Sequence, residues 1–175
     1  SSTCSNYGIS DATTLAVETD PLNPLSLYAK TKVDTENTLL SLSSDSFSVT
    51  VLRLATIFGL SGRMRFNLLI NEMVRDAFIG QQILLYKEDA WRPYTHTIDA
   101  ADALVAVMEA EKRKVSGEVF NVGTENLQKK QLVGLVREIM QSMKVEQKGG
   151  MPDNRDYKVS FEKIKNTIGF IPKKT

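Results

Sequence analysis

The sequence predicts an α/β fold with parallel strand pairing. Short β-branched and aliphatic runs alternate along the chain with longer amphipathic stretches, and Gly residues close several of them. No internal repeat or low-complexity tract interrupts this order. Ser1-Ser-Thr-Cys-Ser-Asn-Tyr-Gly8 reads as the end of a strand entering a functional loop. Leu27 to Leu42 is rich in helix formers, with apolar positions at Leu27, Val33, Leu39, Leu40 and Leu42. Ser48 to Ala55 is a buried strand, ended by Gly59. Asn67 to Ala77 places Leu68, Leu69, Met73, Val74 and Ala77 at helical spacing, and Gln82 to Tyr86 is a short strand. Asp99 to Ala110 is a helix with an acid near its start, and Glu118 to Val122 a strand closed by Gly123. Leu127 to Met143 follows as an amphipathic helix, Lys148-Gly-Gly-Met-Pro152 as a turn, and Phe161 to Thr167 as a short helix ending at Gly169.

Composition narrows the function classes. Hydrophobic residues make up 42% and charged residues 25% of 175, which excludes wholesale disorder. With 22 Lys and Arg against 21 Asp and Glu, the net charge of +1 argues against binding nucleic acid or an anionic membrane by bulk charge. Apolar runs fall far short of the ~20 residues that span a bilayer, and no signal peptide is visible. Cys4 is the single cysteine, so no internal disulfide forms, and one His beside one Cys disfavours a zinc site. The expectation is a cytoplasmic protein.

The first candidate chemistry is Tyr28-Ala-Lys-Thr-Lys32, which sets Tyr28 and Lys32 one helical turn apart on one face. An ammonium beside a phenol favours the phenolate, and this suits Tyr28 to proton transfer on a sugar or alcohol hydroxyl. Thr3 is a candidate hydroxyl donor to the same oxygen. Taken alone, the pair reads first as an ordinary half-exposed helix face. Among other residues, His96 reads as structural and Cys4 as a small buried side chain. Arg63-Met-Arg65 is either a solvated basic loop or a phosphate or sugar contact. Lys112-Arg-Lys114 and Lys129-Lys130 read as solvated helix ends, and Lys173-Lys-Thr175 as a mobile terminus.

Context selects among these readings. Ser2-Thr-Cys-Ser-Asn-Tyr-Gly8, Pro24-Leu-Ser-Leu-Tyr28-Ala-Lys-Thr-Lys32 and Val51-Leu-Arg-Leu-Ala-Thr-Ile-Phe-Gly59 come in order. Trp91-Arg-Pro-Tyr-Thr-His-Thr-Ile-Asp99, Gly117-Glu-Val-Phe-Asn-Val-Gly123, Asp153-Asn-Arg-Asp-Tyr157 and Ile168-Gly-Phe170 follow. Together they resemble the extended short-chain dehydrogenase/reductases, and within them the NAD-dependent epimerase/dehydratase family that acts on nucleotide sugars.

The resemblance implies the C-terminal portion of an incomplete Rossmann-type doubly wound parallel sheet, with a small α/β substrate-binding lobe. Residues 1–60 would be the late Rossmann part with the catalytic helix. Residues 61–175 would form mainly the substrate lobe, with about 90–125 returning to the Rossmann sheet. Tyr28 matches the family's catalytic acid/base, Lys32 the lysine that binds the nicotinamide ribose, and Thr3 the hydroxyl residue at the reacting oxygen. Ala55, Thr56 and Ile57 resemble the segment beside the nicotinamide. Asn67, Arg92 and Arg155 match groups that contact the nucleotide diphosphate, where guanidinium forks suit phosphate oxygens.

The implied cofactor is NAD, with NADP left open, and the implied partner is a nucleotide-diphosphate sugar; relatives also pair as homodimers. No Gly-x-Gly-x-x-Gly occurs in the sequence, so a dinucleotide's pyrophosphate-binding turn lies outside it. This polypeptide alone is therefore expected to be marginally stable and a poor NAD binder. Cys4 and Ser5 stand where the family's dehydratases carry acids, which disfavours a 4,6-dehydratase. C4 epimerisation fits best, ahead of a keto-sugar reductase on the same scaffold or a non-catalytic nucleotide-sugar-binding relative.

Overall fold

The computed structural model describes residues 1–11, 13–80, 82–148 and 154–174. Gly149 to Pro152 of the expected turn, Asp153 and Thr175 lie outside them.

The described residues form three small sheets. In the first, β1 (Ser2–Thr3), β2 (Val51–Leu54) and β6 (Val119–Val122) pair in parallel, in the order β1-β2-β6. In the second, β3 (Thr56–Phe58) runs parallel to β5 (Trp91–His96), which pairs antiparallel with β7 (Glu125–Gln128). In the third, β4 (Ile83–Tyr86) pairs in parallel with β8 (Val145–Lys148). The strands β2 and β6 leave the first sheet together, at Ala55 and Gly123, and re-enter the second as β3 and β7. A glycine is needed at 123 because a Cβ there would sit 2.3 Å from the Phe161 ring and 3.1 Å from Ala55 Cβ.

Among the described residues, six helices accompany the sheets: α1 (Leu27–Ser41), α2 (Leu69–Phe78), α3 (Thr97–Glu109), α4 (Lys112–Val115), α5 (Lys129–Ile139) and α6 (Glu162–Ile168). Leu52, Phe120 and Val122 of the first sheet pack with Ala103 of α3, Ile164 of α6 and Phe170. Met73 of α2 and Leu132 and Val133 of α5 pack on Ile83, Leu85 and Tyr94. Of the 90–125 stretch, β6 alone hydrogen-bonds into the first sheet, α3 packs on it, and β5 belongs to the second.

Several sequence boundaries shift for local reasons. The helix expected from Asp99 begins at Thr97, because His96 is its N-cap and its Nδ1 accepts the Ile98 amide at 3.2 Å. The helix expected over Leu127–Met143 is shorter. Leu127 is drawn into β7 against Arg92, and a reciprocal Gln128–Gln131 capping box starts α5 at Lys129. Strands β3, β7 and β8 carry polar or mixed residues without clean alternation, and their partners alone define them.

The expected mobile terminus is tied down at its described residues. Buried Asp99 accepts the Lys173 amide at 2.8 Å and the Lys174 amide at 2.9 Å. Asp99→Ala leaves both amides without this acceptor. We expect it to lower the unfolding free energy by about 2–4 kcal/mol in urea titrations and to speed amide exchange over residues 170–174.

Candidate active site

The catalytic helix candidate starts where Ser26 places it. Ser26 Oγ accepts the Ala29 amide at 3.1 Å, which caps α1 and sets Tyr28 in the first turn. Tyr28 is 56% exposed. Lys32, one turn on, holds its Nζ 5.9 Å from the Tyr28 ring centroid and donates to the Ser1 carbonyl at 3.1 Å. Thr3 ends β1, in register with Leu54 at the end of β2. Its side chain caps a 3-10 turn, Cys4–Tyr7. Thr3 Oγ1 accepts the Ser5 amide at 3.1 Å and shares a 2.8 Å hydrogen bond with Ser5 Oγ.

These groups meet at one cavity of about 1220 Å³. It opens at the carboxyl ends of β1 and β2, where open α/β sheets bind their ligands. Thr3, Ser5, Tyr28, Ala55, Thr56, Ile57, Asn67, Arg92 and Arg155 all line it, and Lys32 stands behind Tyr28 outside the lining. Arg92 is buried, donates to the Trp91 carbonyl at 2.8 Å and stacks its guanidinium 5.5 Å from the Tyr157 ring centroid. Asn67 lies just before α2 rather than in it. Arg65 joins the lining and Arg63 does not. Asn71 on α2 holds both ends of the intervening loop, accepting the Gly59 amide at 3.3 Å and donating to the Arg65 carbonyl at 3.2 Å.

One expectation changes. Lys129 is not a solvated helix end. It is buried, lines the cavity and donates to the Tyr86 carbonyl at 3.0 Å, while Lys130 is exposed and paired with Asp89. The cavity's carboxylates among the described residues are Glu72 and Asp76, which sequence reasoning did not single out. Both pair with Arg75, at 3.7 and 2.6 Å.

Sequence reasoning also missed the buried network behind the site. Arg53 of β2 and Glu36 of α1 form an ion pair at 2.7 Å with both side chains almost wholly enclosed. Ser2 Oγ also donates to Glu36, and Asn6 Nδ2 does so at 2.7 Å. Arg53 Nη1 donates to Tyr7 Oη at 3.0 Å and to the Glu18 carbonyl at 3.1 Å, and Tyr7 Oη donates to Asn121 Oδ1 at 2.9 Å. The available signal was an arginine inside the apolar run Val51-Leu-Arg-Leu54, since a buried guanidinium requires a carboxylate. Burial opposes the Arg53 charge, and its contacts with Glu36 and Tyr7 together outweigh that and hold the guanidinium above its ordinary value. Burial also pushes the Cys4 thiol up, against the nearby Arg53 charge, and Cys4 Sγ contacts the Arg53 carbonyl at 3.0 Å.

Comparisons with known proteins bear on the family and the fold. A family model described as the NAD dependent epimerase/dehydratase family matches residues 1–123. UDP-N-acetyl-alpha-D-glucosaminuronate decarboxylase of Bacillus cytotoxicus is 28% identical over 142 residues, covering 79% of this chain and 43% of that protein. Two solved structures superpose over 99% of the chain. UDP-glucuronic acid 4-epimerase from Bacillus cereus, in complex with UDP-glucuronic acid and NAD, gives a TM-score of 0.88 at 21% identity and is covered over 55% of its length. dTDP-glucose 4,6-dehydratase from Bacillus anthracis, in complex with NAD, gives 0.83 at 26% identity and is covered over 56%. The chain thus spans about half the length of these relatives.

The buried network has an alkaline signature. Burial pushes the Tyr7 phenol up to about 12 from its ordinary 10, against the opposing effect of Arg53. Between those values the unfolded chain has released this proton and the folded chain has kept it, so stability falls as pH rises. We expect the urea midpoint to drop from pH 10 to 12, and Tyr7→Phe to show a shallower drop.

Proposed function

This chain belongs to the NAD dependent epimerase/dehydratase family, and we propose that it carries the catalytic and substrate-gripping part of an enzyme that epimerises a nucleotide-diphosphate sugar at C4. The observation that carries this reading is the shared cavity. Thr3, Tyr28, Ala55, Thr56, Ile57, Arg92 and Arg155 line it, and its carboxylates among the described residues, Glu72 and Asp76, are both engaged by Arg75. Expelling water from the sugar, or removing a C–H proton next to a ketone, calls for an acid or thiolate beside the reacting carbons. Ser5 is a neutral hydroxyl, and Cys4 is fully buried with its thiol pushed up. Inversion at a carbinol needs only a hydroxyl proton and a hydride exchanged, and Tyr28 suffices for the proton.

NAD fits the wall at its nicotinamide end. The strand-end backbone of Ala55, Thr56 and Ile57 would lie beside the ring, and Lys32 and Tyr28 would hold the ribose. When bound, NAD takes up a hydride and gives it back. This chain's own residues handle the rest. Tyr28 as phenolate takes the C4 hydroxyl proton and later returns it to the inverted centre. Thr3 Oγ1 already accepts the Ser5 amide. When the Ser5 hydroxyl also donates to it, the Thr3 proton is released toward the sugar oxygen, where it steadies developing negative charge. Arg92, Arg155 and Asn67 hold the diphosphate while the keto-sugar turns over.

In this reading residues 1–60 serve the cofactor side and 61–175 mainly the nucleotide sugar. A cytoplasmic homodimer through α1 is part of it, since Leu27 and Leu42 leave that helix with exposed apolar ends. The decarboxylase relative favours a second reading, in which a uronic keto-sugar loses CO2. A keto-sugar reductase is a third reading on the same residues.

The natural-length protein incubated with UDP-hexoses and UDP-uronic acids separates these. Epimerisation gives a C4 epimer by NMR with no net NADH and no CO2. Product formed with stoichiometric NADH consumption, or with CO2 release, overturns it. Tyr28→Phe should lower kcat about 10³-fold with nucleotide-sugar affinity little changed, and near-normal turnover would sink the proposed proton path. Arg155→Ala should raise KM about tenfold or more at nearly constant kcat, as loss of a charge-assisted contact made equally before and during reaction does.

A further inference from the structure

Three elements deliver the proposed chemistry: β1 carries Thr3, α1 carries Tyr28 and Lys32, and the end of β2 leads into Ala55–Ile57. One buried ion pair joins all three. Glu36 lies two helical turns beyond Tyr28, one turn beyond Lys32, and points inward from α1. Its carboxylate takes the Arg53 guanidinium side-on, with Nε 3.2 Å from Oε1 and Nη2 2.7 Å from Oε2. The same carboxylate accepts from Ser2 Oγ, the residue next to Thr3, and from Asn6 in the turn that Thr3 caps. Asn6 also donates to Ser2 Oγ at 3.2 Å. Arg53 lies two residues before Ala55, where the cofactor-side backbone begins, and its remaining nitrogen reaches Tyr7 and the Glu18 carbonyl.

We propose that Glu36 and Arg53 are positioning residues, which set the distance between the Tyr28 phenol and the Thr3 hydroxyl by locking α1 to β1 and β2. The inference rests on the reading of Thr3 and Tyr28 as the reacting pair. Apolar packing leaves a helix free to slide or roll by fractions of an ångström, because it has no preferred direction. A bidentate guanidinium–carboxylate contact fixes distance and plane together. Reaction rate is sensitive to that scale, and a displacement of about 1 Å can cost ~100-fold. A buried pair adds little net stability over apolar residues of similar volume, so a positional role separates cleanly from a structural one.

The test is the double variant Glu36→Leu/Arg53→Met in the natural-length protein. We expect melting within a few degrees of the parent, KM for the nucleotide sugar within about threefold, and kcat down about 10- to 100-fold. A folded double variant with kcat within threefold of the parent overturns the proposal. Should that protein not fold, Ser2→Ala removes only the hydroxyl between Glu36 and Asn6. It should lower kcat by about threefold or more at constant KM, and unchanged kcat there overturns the proposal equally.

A parent protein without turnover on any nucleotide sugar defeats the epimerase reading and not this one. Amide exchange in the same variants then decides. Faster exchange confined to residues 2–7 and 27–36 upholds the coupling, and exchange unchanged there overturns it.

Discussion

A carboxylate and a guanidinium shut away from water each carry a desolvation penalty of several kcal/mol, tolerable only when each satisfies the other and every remaining proton finds an acceptor. Glu36 and Arg53 satisfy each other; Ser2 and Asn6 donate further bonds to the carboxylate, Arg53 donates to Tyr7 and the Glu18 carbonyl, and Tyr7 extends the chain of bonds to Asn121 on β6. The rest of the site follows from this one arrangement. It seats α1 against β1, holds the 3-10 turn after Thr3, and ties the first sheet to the Tyr7–Glu18 segment. Asn121 in turn donates to the Ser160 carbonyl at 3.2 Å and, through its amide, to Glu18 Oε1 at 2.8 Å, so the segment before α6 joins the same frame.

The cavity exists because the sheets do not continue into one another. Strands β2 and β6 both break step, at Ala55 and Gly123, and the chain resumes in a separate sheet as β3 and β7. That break leaves the carboxyl ends of β1 and β2 open, walled on the far side by α2, β4 and β5. The wall is held from outside. Asp156 accepts the Trp91 amide at 2.9 Å and pairs with Lys87 at 3.2 Å, which sets neighbouring Arg155 and Tyr157 against the cavity. Asn71 does the same for the loop that carries Arg65. Diphosphate-gripping and proton-transferring groups thus come from different layers, each anchored by its own polar clasp.

Much of the architecture was legible in the sequence because the buried strands and amphipathic helices announce themselves by composition and period. Val51–Leu54 and Val119–Val122 are strands by their own residues, and Leu27–Ser41 and Glu162–Ile168 are helices capped by Ser26 and Gly169. β7 and β8 were not legible, since mixed polar strands take their conformation from their partners, and the break at Ala55 that separates β3 from β2 is a tertiary feature. Lys129 was misread for a related reason: local sequence marks a charge near a helix end as solvated, and only packing carried this one inside.

The order of local signals along the chain determined the α/β class, the family resemblance, and the identity of Thr3, Tyr28, Lys32, Arg92 and Arg155 as candidates, because each depends on residues within a few turns or within one motif. Tertiary structure alone decided that most of these face one cavity, that Lys32 stands behind Tyr28 rather than in the lining, and that Glu36 and Arg53 hold the frame. Those facts depend on contacts between residues 17 to more than 100 apart, and pairings at that range are selected by burial and charge compensation, which no local pattern records.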